Sequence, residues 1–262
     1  MSMDACRTPT VARAISRETV SALIERRITA IVLDRLLSDQ ECDAMAARVR
    51  PLTETSTYRW STDLTVLGTS IGEAHESPEA EARYFELAPS TIELYRQVVF
   101  PGGSPIGKVV EQLSRVWAGG SYVPAKNGRT FLPEIVRRWR TGGGAHPHID
   151  QCHTALLSPL GLRGRIGLNV YLQMPSEGGA VEFWERSFTD EEYVRLKRQD
   201  YGLDRSLLGA PDLRLRPDKG QAVIFRAWEP HAVEPLRGEG DRITNAAFFG
   251  IPDASAAAAV FA

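Results

Sequence analysis

The sequence is poor in cysteine and contains no long apolar run. Its 262 residues include 3 cysteines, scattered at Cys6, Cys42 and Cys152 with no CxxC pair among them. Such an odd, dispersed set argues against a disulfide framework and predicts a reducing compartment, which favours the cytoplasm. No apolar stretch approaches the roughly 20 residues of a transmembrane helix, and the first residues lack the apolar core of a secretory signal. Neither membrane insertion nor export is therefore expected.

The sequence also lacks a strong excess of charge of one sign. The formal net charge is -2, and charged residues make up 24% of the chain against 43% hydrophobic residues. These values are ordinary for a globular protein and give no reason to expect nucleic acid or an acidic membrane as a partner. A chain of this length can bury a substantial core within one domain, while its composition leaves the oligomeric state open.

The first half of the sequence predicts mostly helices. Ser38 and Glu41 have the spacing of a capping box, and the helix after them is expected to end before Pro51. A strand is expected at 30–33, and the polar stretch 51–80 is expected to form a long loop with some order. Apolar residues at helical spacing predict three further helices, at about 19–27, 89–99 and 106–117.

The second half of the sequence predicts short strands separated by glycine and proline turns. Their predicted positions are 131–139, 166–174, 180–184, 221–225 and 242–250, the last being the final strand. The turn between the second and third of these strands predicts that they pair as a hairpin. A short helix is expected to begin at Thr189 or Asp190. The pattern favours a mainly β fold with flanking helices, in the form of a β-barrel or jelly roll.

His148, Asp150 and His231 supply the residue types of a non-haem Fe(II) site. Two histidines and one carboxylate bind such an ion on one face and leave the other face open. Residues two apart on a strand point to the same side, so His148 and Asp150 can bind one ion. His231 must then come from a strand that is distant in sequence and adjacent in space. His146 offers a different pair, but the intervening Pro147 and the lack of a carboxylate at position 148 favour His148 with Asp150.

Arg242 and Thr244 indicate an anion site near these ligands. Both lie on one face of the last predicted strand, and Ala246 and Phe248 on the same face are expected to be buried. A buried guanidinium requires a partner, and a carboxylate can accept two of its hydrogen bonds. Arg242 could therefore pair with a dicarboxylic co-substrate, supported by the Thr244 hydroxyl, although it could also be a strand-edge arginine that reaches solvent.

The pattern HxD, a distant histidine and an arginine about ten residues later resembles the 2-oxoglutarate/Fe(II) dioxygenase superfamily. The segment Tyr171-Leu172-Gln173 followed by Gly178-Gly179 is similar to a hairpin of its prolyl-hydroxylase-like branch. The resemblance covers about 130–252 and implies a double-stranded β-helix, which is a jelly-roll or cupin-like barrel. Residues 1–129 would then supply N-terminal α-helical support and substrate loops, and 253–262 a tail, all within a single catalytic domain.

The resemblance implies Fe(II), 2-oxoglutarate and O2 as the cofactor and co-substrates. The two histidines and the aspartate would hold the iron and form the catalytic group. Arg242 and Thr244 would bind the far carboxylate of 2-oxoglutarate. Tyr171 matches a position whose phenol can reach the same carboxylate, although a plain core tyrosine fits equally well. Asn169 shares the strand face of Tyr171, and a co-substrate contact is plausible there.

A weaker similarity, over residues 68–100, is to N-acyl amino acid β-hydroxylases and welwitindolinone-type aliphatic halogenases. In those halogenases a small residue leaves room for chloride, whereas here Asp150 stands at that place. Hydroxylation of an unactivated aliphatic C–H bond is therefore expected, on a small molecule such as an amino acid, an acylated amino acid or another specialised metabolite. Desaturation, cyclisation or halogenation at the same iron, a zinc-dependent hydrolase and a non-catalytic metal-binding barrel are the alternatives. Substrate contacts are expected from the long segments 60–85 and 186–210.

Four other polar residues have less specific expected roles. His75 and His153 are expected at the surface or in the substrate pocket, with the surface favoured. Arg138 and Arg140 could bind the co-substrate or a substrate carboxylate, or be solvated on an edge strand.

Overall fold

Strands dominate the second half of the chain and helices the first. The computed structural model describes residues 10–54, 63–151, 154–198, 201–253 and 255–262. None of the helices in these ranges has the length and apolarity needed to cross a membrane. The helices are α1 (Arg17–Ile24), α2 (Asp39–Leu52), α3 (Ile71–Ala74), α4 (Pro78–Leu94), α5 (Pro105–Val116) and α6 (Asp190–Leu196). A π-helical turn (Tyr95–Val99) continues α4, and short 3-10 turns lie at Ser158–Leu160 and Arg205–Leu207.

Fifteen strands are present in the described ranges. In the first half they are β1 (Val11–Ala12), β2 (Ala30–Leu33), β3 (Leu64–Leu67), β4 (Ser121–Tyr122), β5 (Ala125–Lys126) and β6 (Arg129–Thr130). In the second half they are β7 (Ile135–Trp139), β8 (Ala145–His148), β9 (Gly164–Gln173), β10 (Val181–Phe183), β11 (Leu213–Leu215), β12 (Ala222–Arg226), β13 (His231–Val233), β14 (Arg242–Ile251) and β15 (Ala258–Phe261). The expected mainly β fold with flanking helices is confirmed.

Helix α2 begins where the sequence provides a capping side chain. The Ser38 hydroxyl accepts a hydrogen bond from the Glu41 main-chain N–H (3.2 Å), and the Glu41 carboxylate accepts one from the Ser38 N–H (2.8 Å). This capping box confirms the predicted start of the helix. The predicted end is wrong, because α2 continues through Pro51. A proline in the last turn removes only one helical hydrogen bond, and the Thr53 hydroxyl donates to the Val49 carbonyl there (2.9 Å).

The polar stretch 51–80 contains more regular structure than the sequence predicts. β3 and α3 lie within it, and α4 begins at Pro78 rather than near Pro89. A proline usually marks a helix boundary, which is why the sequence predicts a later start. Burial of Tyr84 and Phe85 on one side of α4 provides tertiary packing that stabilises the helix across Pro89.

The strands form one nine-stranded and one four-stranded sheet. The larger sheet runs in the order β1-β2-β12-β9-β14-β15-β4, and β7 pairs with β3 and with the part of β14 that β15 leaves open. The smaller sheet runs in the order β11-β10-β13-β8, and β5 pairs with β6 separately. All five strands predicted in the second half are present, with their ends moved by a few residues.

The predicted hairpin between the strands now labelled β9 and β10 is wrong. β9 belongs to the larger sheet, whereas β10 belongs to the smaller sheet and pairs with β11 and β13. The turn between them therefore carries the chain from one sheet to the other. β7, β9, β12 and β14 belong to the larger sheet, and β8, β10, β11 and β13 to the smaller one. Side chains from both sheets line one cavity, so the sheets face each other across it.

Helical support of the larger sheet comes from the first half of the chain, as expected. Helices α2 and α5 contact β9 and β14, the two central strands of the sheet. The predicted end of the sheet is wrong, because β15 follows the strand at 242–251 within the segment 253–262 that was expected to be a tail. β15 pairs antiparallel with β14 and is buried. Alanine is depleted in strands, so the alanine-rich segment carries no strand signal, and pairing with the open edge of β14 decides its conformation.

Tyr95 connects the π-helical turn to two strands of the larger sheet. Its hydroxyl donates a hydrogen bond to the Leu67 carbonyl at the end of β3 and accepts one from the Val136 N–H in β7 (2.9 Å). The side chain is only 2% exposed, so water cannot replace either bond. The turn after α4 is thereby fixed to the strand that carries the charged residue Arg137.

Replacement of Tyr95 by phenylalanine should lower the free energy of unfolding by about 1–3 kcal/mol, because two buried main-chain groups lose a partner. Urea unfolding measures this change. Tyr122→Phe is the matched control, since Tyr122 is 44% exposed, and should change stability by less than about 0.5 kcal/mol. Equal stability of the two variants would contradict the role assigned to the Tyr95 hydroxyl.

Candidate metal centre and active-site cavity

The pairing of β8 with β13 brings the three predicted metal ligands together. His148 at the end of β8 lies opposite His231 at the start of β13, with their ring centroids 4.3 Å apart. The Asp150 Oδ2 atom is 3.4 Å from the His231 Nε2 atom. One donor atom from each of the three residues lies within 4.8 Å of the others. These distances allow a single metal ion to contact all three.

Asp150 lies just beyond β8 rather than on it, which corrects the expected strand geometry. Its main-chain N–H donates to the Ala227 carbonyl (2.8 Å), and this bond holds the loop after β8 in place. A strand that continued through Asp150 would lose this bond to Ala227. The site is therefore built from two paired strands and one loop.

Each histidine ring is oriented by a main-chain carbonyl two residues before it. The Nδ1 of His148 lies 2.8 Å from the His146 carbonyl oxygen, and the Nδ1 of His231 lies 3.0 Å from the Glu229 carbonyl oxygen. A carbonyl only accepts, so Nδ1 carries the proton in both rings. The lone pair of each Nε2 is consequently free for a metal, which is the arrangement that metal-binding histidines favour.

Burial and neighbouring charges keep His148 and Asp150 in their metal-binding protonation states. Burial lowers the pKa of His148 to about 3, with the nearby His231 acting in the same direction, so its ring is neutral. Burial alone would raise the pKa of Asp150, but nearby positive charge, that of Arg165 above all, outweighs it and lowers that pKa. Two imidazoles and one carboxylate fit Fe(II) in both donor type and number.

Arg242 and Thr244 lie on the same cavity wall, on neighbouring positions of one face of β14. Arg242 is 3% exposed and Thr244 is 1% exposed. The Arg242 Nε atom and the Thr244 Oγ1 atom are buried without a hydrogen-bond partner in the described residues. A buried cation beside an unpaired hydroxyl fits a carboxylate guest. The solvent-reaching alternative for Arg242 is therefore wrong.

Tyr171 and Asn169 lie on the same face of β9 and take different positions. The Tyr171 hydroxyl accepts a hydrogen bond from Nη2 of Arg242 (3.4 Å), and the guanidinium carbon lies 5.0 Å from the tyrosine ring centroid. Tyr171 is fully buried behind Arg242 and fixes the guanidinium. Asn169 lines the cavity directly and is partly exposed.

The other polar residues singled out in the sequence lie in different places. His146 is exposed at the cavity rim and is not part of the metal-binding group. His75 lies on the cavity wall, so the favoured surface position is wrong. Arg138 donates to Asp241 (2.7 Å) and Arg140 to the Thr65 hydroxyl (3.1 Å), and neither lines the cavity. His153 and Cys152 lie outside the described residues.

Arg137 and Arg165 are cavity residues that the sequence analysis missed. Arg137 pairs with Thr244 across the β7–β14 ladder, so it shares the cavity face, whereas the neighbouring Arg138 faces away. Arg165 is four residues before Asn169 on β9 and therefore points to the same side as Asn169. Arg165 was missed because the predicted strand began at residue 166, after it. Arg137 was missed because the candidate role on that strand was given to Arg138, which has the opposite parity.

The cavity has a volume of about 470 Å³, which is in the usual range for a small-molecule site. Residues of both long segments expected to hold substrate line it, including Ile71 and His75 from 60–85 and Tyr193 and Tyr201 from 186–210. Its charged lining, within the part of the chain that the structure describes, consists of four cations and one acid: Arg137, Arg165, Lys197, Arg242 and Asp150. The cavity is therefore suited to anionic guests.

Comparison with known proteins agrees with this geometry. Residues 135–250 match the family model described as the 2OG-Fe(II) oxygenase superfamily. That segment contains the metal-binding group and Arg242. The resemblance stated from the sequence is confirmed over these residues, and the expected Fe(II) and 2-oxoglutarate agree with the family model and with the metal-binding group.

Individual relatives are more distant. L-gamma-glutamyl-L-propargylglycine hydroxylase of Streptantibioticus cattleyicolor is 24% identical over 149 residues, which cover 56% of this chain and 55% of that protein. The match thus spans about half the length of this curated relative. An N-substituted L-amino acid dioxygenase from Burkholderia ambifaria has 18% identity and a TM-score of 0.61, over 89% of this chain and 87% of that chain. HygX from Streptomyces hygroscopicus was solved with nickel and 2-oxoglutarate bound. It has 14% identity and a TM-score of 0.50, over 90% of this chain and 86% of that chain. At these identities the two structures show a shared fold alone.

The assignment of His148 rather than His146 as a ligand is tested by two neighbouring alanine variants. His148→Ala should weaken Fe(II) binding at least roughly hundredfold, because it removes one of three donors. His146→Ala is the matched control from the same strand and should change the affinity by less than about threefold, since only its carbonyl supports the site. Anaerobic calorimetry with Fe(II), or with Mn(II) as a stable substitute, measures both. The reverse order of losses would show that the ligand register is wrong.

Proposed function

We propose that the protein is an Fe(II)- and 2-oxoglutarate-dependent hydroxylase that acts on an aliphatic C–H bond of a small acidic molecule. The observation that carries the proposal is one cavity that combines three metal donors with a buried, unsatisfied Arg242 and Thr244. Neither group alone is specific, because metal-binding clusters and buried arginines occur in many proteins. Their position around one cavity, on the two sheets that face each other across it, matches the two needs of this reaction.

His148, Asp150 and His231 would hold the iron, and Arg242 with Thr244 would hold the far carboxylate of 2-oxoglutarate. When bound, iron, O2 and 2-oxoglutarate supply an oxidant that inserts one oxygen atom into a C–H bond and yield succinate and CO2. Tyr171 holds the guanidinium of Arg242 in place through its hydroxyl. Asn169 lines the same wall, and we propose it as a further co-substrate contact.

Hydroxylation is the favoured outcome because the carboxylate ligand is present. Asp150 takes a coordination place that the resembling halogenases leave to chloride, and Arg165 holds it as an anion. Residues 186–210 add Tyr193, Lys197 and Tyr201 to the cavity mouth, where they would limit the access of water. The Tyr201 ring centroid lies 5.0 Å from that of His148.

The fold supports a finer assignment as well. The strands of the second half alternate between two facing sheets, apart from the consecutive pairs β10 with β11 and β14 with β15. We infer that these sheets are the two halves of a double-stranded β-helix, and that the whole chain acts as a single catalytic domain. The names of the relatives point to amino acids with a substituted nitrogen or a γ-glutamyl group, and we propose such compounds as the substrate class.

Arg242 variants test the co-substrate site. Arg242→Met should weaken 2-oxoglutarate binding at least roughly thirtyfold, because a carboxylate loses its buried partner. Arg242→Lys should lose less, since an ammonium keeps the charge but not the two parallel donors. Calorimetry on the anaerobic Fe(II) protein gives the affinities. Arg214→Met, on the exposed side of β11, is the control and should match the unchanged protein. Full 2-oxoglutarate affinity in Arg242→Met would overturn this role.

The reaction itself is tested by succinate formation and product mass. The protein with Fe(II), ascorbate and 2-oxoglutarate is incubated with a panel of N-acyl and γ-glutamyl amino acids. Succinate that depends on one panel member, with a product gaining one oxygen atom, supports the proposal. Chlorine incorporation would refute the role given to Asp150. Absence of turnover over the panel, combined with tight zinc retention, would favour the hydrolase or the non-catalytic barrel.

A further inference from the structure

Four unsatisfied polar atoms lie on the wall of the cavity, and the co-substrate accounts for only two of them. Within the described residues, the buried side-chain atoms without a hydrogen-bond partner are Arg242 Nε, Thr244 Oγ1, His75 Nδ1, Arg165 Nη1 and Glu229 Oε1. The last is outside the cavity and lies 2.7 Å from the Nε of Arg26 in an ion pair. His75 and Arg165 therefore need a separate explanation.

Arg165 lies far along the larger sheet from Arg242 and Thr244, and His75 lies at the end of α3. On the β9–β14 ladder Thr244 pairs with Tyr171, whereas Gly250 pairs with Arg165. Six strand positions separate these rungs, which corresponds to about 20 Å along the sheet. A carboxylate held at Arg242 and Thr244 therefore does not account for the unsatisfied atom of Arg165.

Arg165 is held rigidly with one nitrogen left over. Its Nε donates to the Asp150 carbonyl (3.0 Å), its Nη2 is 3.6 Å from Asp150 Oδ1, and its guanidinium carbon lies 4.3 Å from the Phe248 ring centroid. The side chain is 5% exposed. A guanidinium fixed in this way presents its remaining Nη1 edge without further loss of side-chain entropy.

The charge of Arg165 is also not fully matched. Asp150 is the one acid on the described cavity wall, and the same carboxylate belongs to the metal-binding group. Once a divalent ion shares that carboxylate, Arg165 lacks an anion of its own. A buried cation without a partner is costly, so this position favours a second anionic guest.

The structure assigns to Arg165 and His75 a second subsite, which binds a carboxylate of the molecule that is oxidised. Arg165 Nη1 donates to one carboxylate oxygen, and the His75 ring contacts a second polar atom of the same molecule. This inference rests on the proposed function and adds the group by which the substrate is held. The acid group is then bound beside Asp150, at the end of the wall away from Arg242, and the rest of the substrate extends towards the metal.

The same cavity disfavours a free amino group. Burial lowers the pKa of His75 to about 4, with the charge of Arg165 acting in the same direction, so the ring is neutral and adds no further cation. The described wall offers an ammonium group no acid other than Asp150, which the metal and Arg165 already share. An acid whose nitrogen is acylated fits this wall better than a zwitterionic amino acid.

The test compares acids with their own amides. N-acetyl-L-leucine, N-acetyl-L-methionine and N-acetyl-L-phenylalanine, and the three corresponding primary amides, are titrated into the anaerobic protein loaded with Fe(II) and 2-oxoglutarate. At least one acid should bind roughly tenfold or more tighter than its amide. In Arg165→Met that acid should bind roughly thirtyfold more weakly, with the amide unchanged, so that the preference disappears. Arg165→Lys should restore part of the preference.

Two further variants separate a binding role from a structural one. Arg163→Met, at an exposed arginine two residues earlier, is the control and should keep the full preference. His75→Phe should weaken the acid severalfold and keep the Fe(II) affinity, which makes the test independent of the contact between Arg165 and Asp150. The subsite would be overturned by equal losses of affinity for acid and amide, or by a preference that survives in Arg165→Met. It would also be overturned if no acid binds while 2-oxoglutarate still binds. Loss of 2-oxoglutarate binding in the unchanged protein would instead overturn the proposed function.

Discussion

The antiparallel pairing of β8 with β13 is the constraint on which the rest of the site depends. It sets His148 opposite His231, and a slip of one residue would turn one ring to the other face of the smaller sheet. The approach to β13 is fixed by a buried ion pair, in which the Arg226 Nε donates to the Glu229 carboxylate (2.7 Å). The carbonyl of that same Glu229 orients the His231 ring. The register of the β8–β13 pair and the orientation of the His231 ring are therefore both set within the segment 226–231.

The chemistry-bearing residues were more predictable than the path of the chain. His148, Asp150 and His231 carry their meaning in residue type and spacing, so they could be found without the fold. The hairpin at β9 and β10 could not be excluded, because a glycine turn looks the same whether the next strand pairs locally or crosses to another sheet. β15 could not be predicted either, since its alanines gain strand structure from the open edge of β14. Side-chain parity was reliable within a correctly bounded strand, as for Arg242 and Thr244, and it failed for Arg165, which lay outside the predicted bounds of β9.

The larger sheet has two faces with opposite physical demands. One face packs under helices α2 and α5 mainly through apolar side chains, with one polar contact from the Ile106 N–H to the Asn245 side chain (3.0 Å). The other face carries Arg137, Arg165 and Arg242 towards the cavity. Buried cations oppose folding unless they are paired. The apolar face and the anchoring of Tyr95 compensate for this, which explains why the helices of the first half are attached so firmly to strands that carry the site.

The unsatisfied state of Arg242 and Thr244 has a consequence for the protein in the cell. A ligand that binds only the folded chain stabilises it in proportion to the logarithm of ligand concentration over dissociation constant, once the site is mostly filled. In the unfolded ensemble Arg242 and Thr244 are both hydrated, so the chain offers a carboxylate no buried pair to bind. Under the proposed function, the resistance of the folded chain to unfolding and proteolysis would rise with the concentration of 2-oxoglutarate.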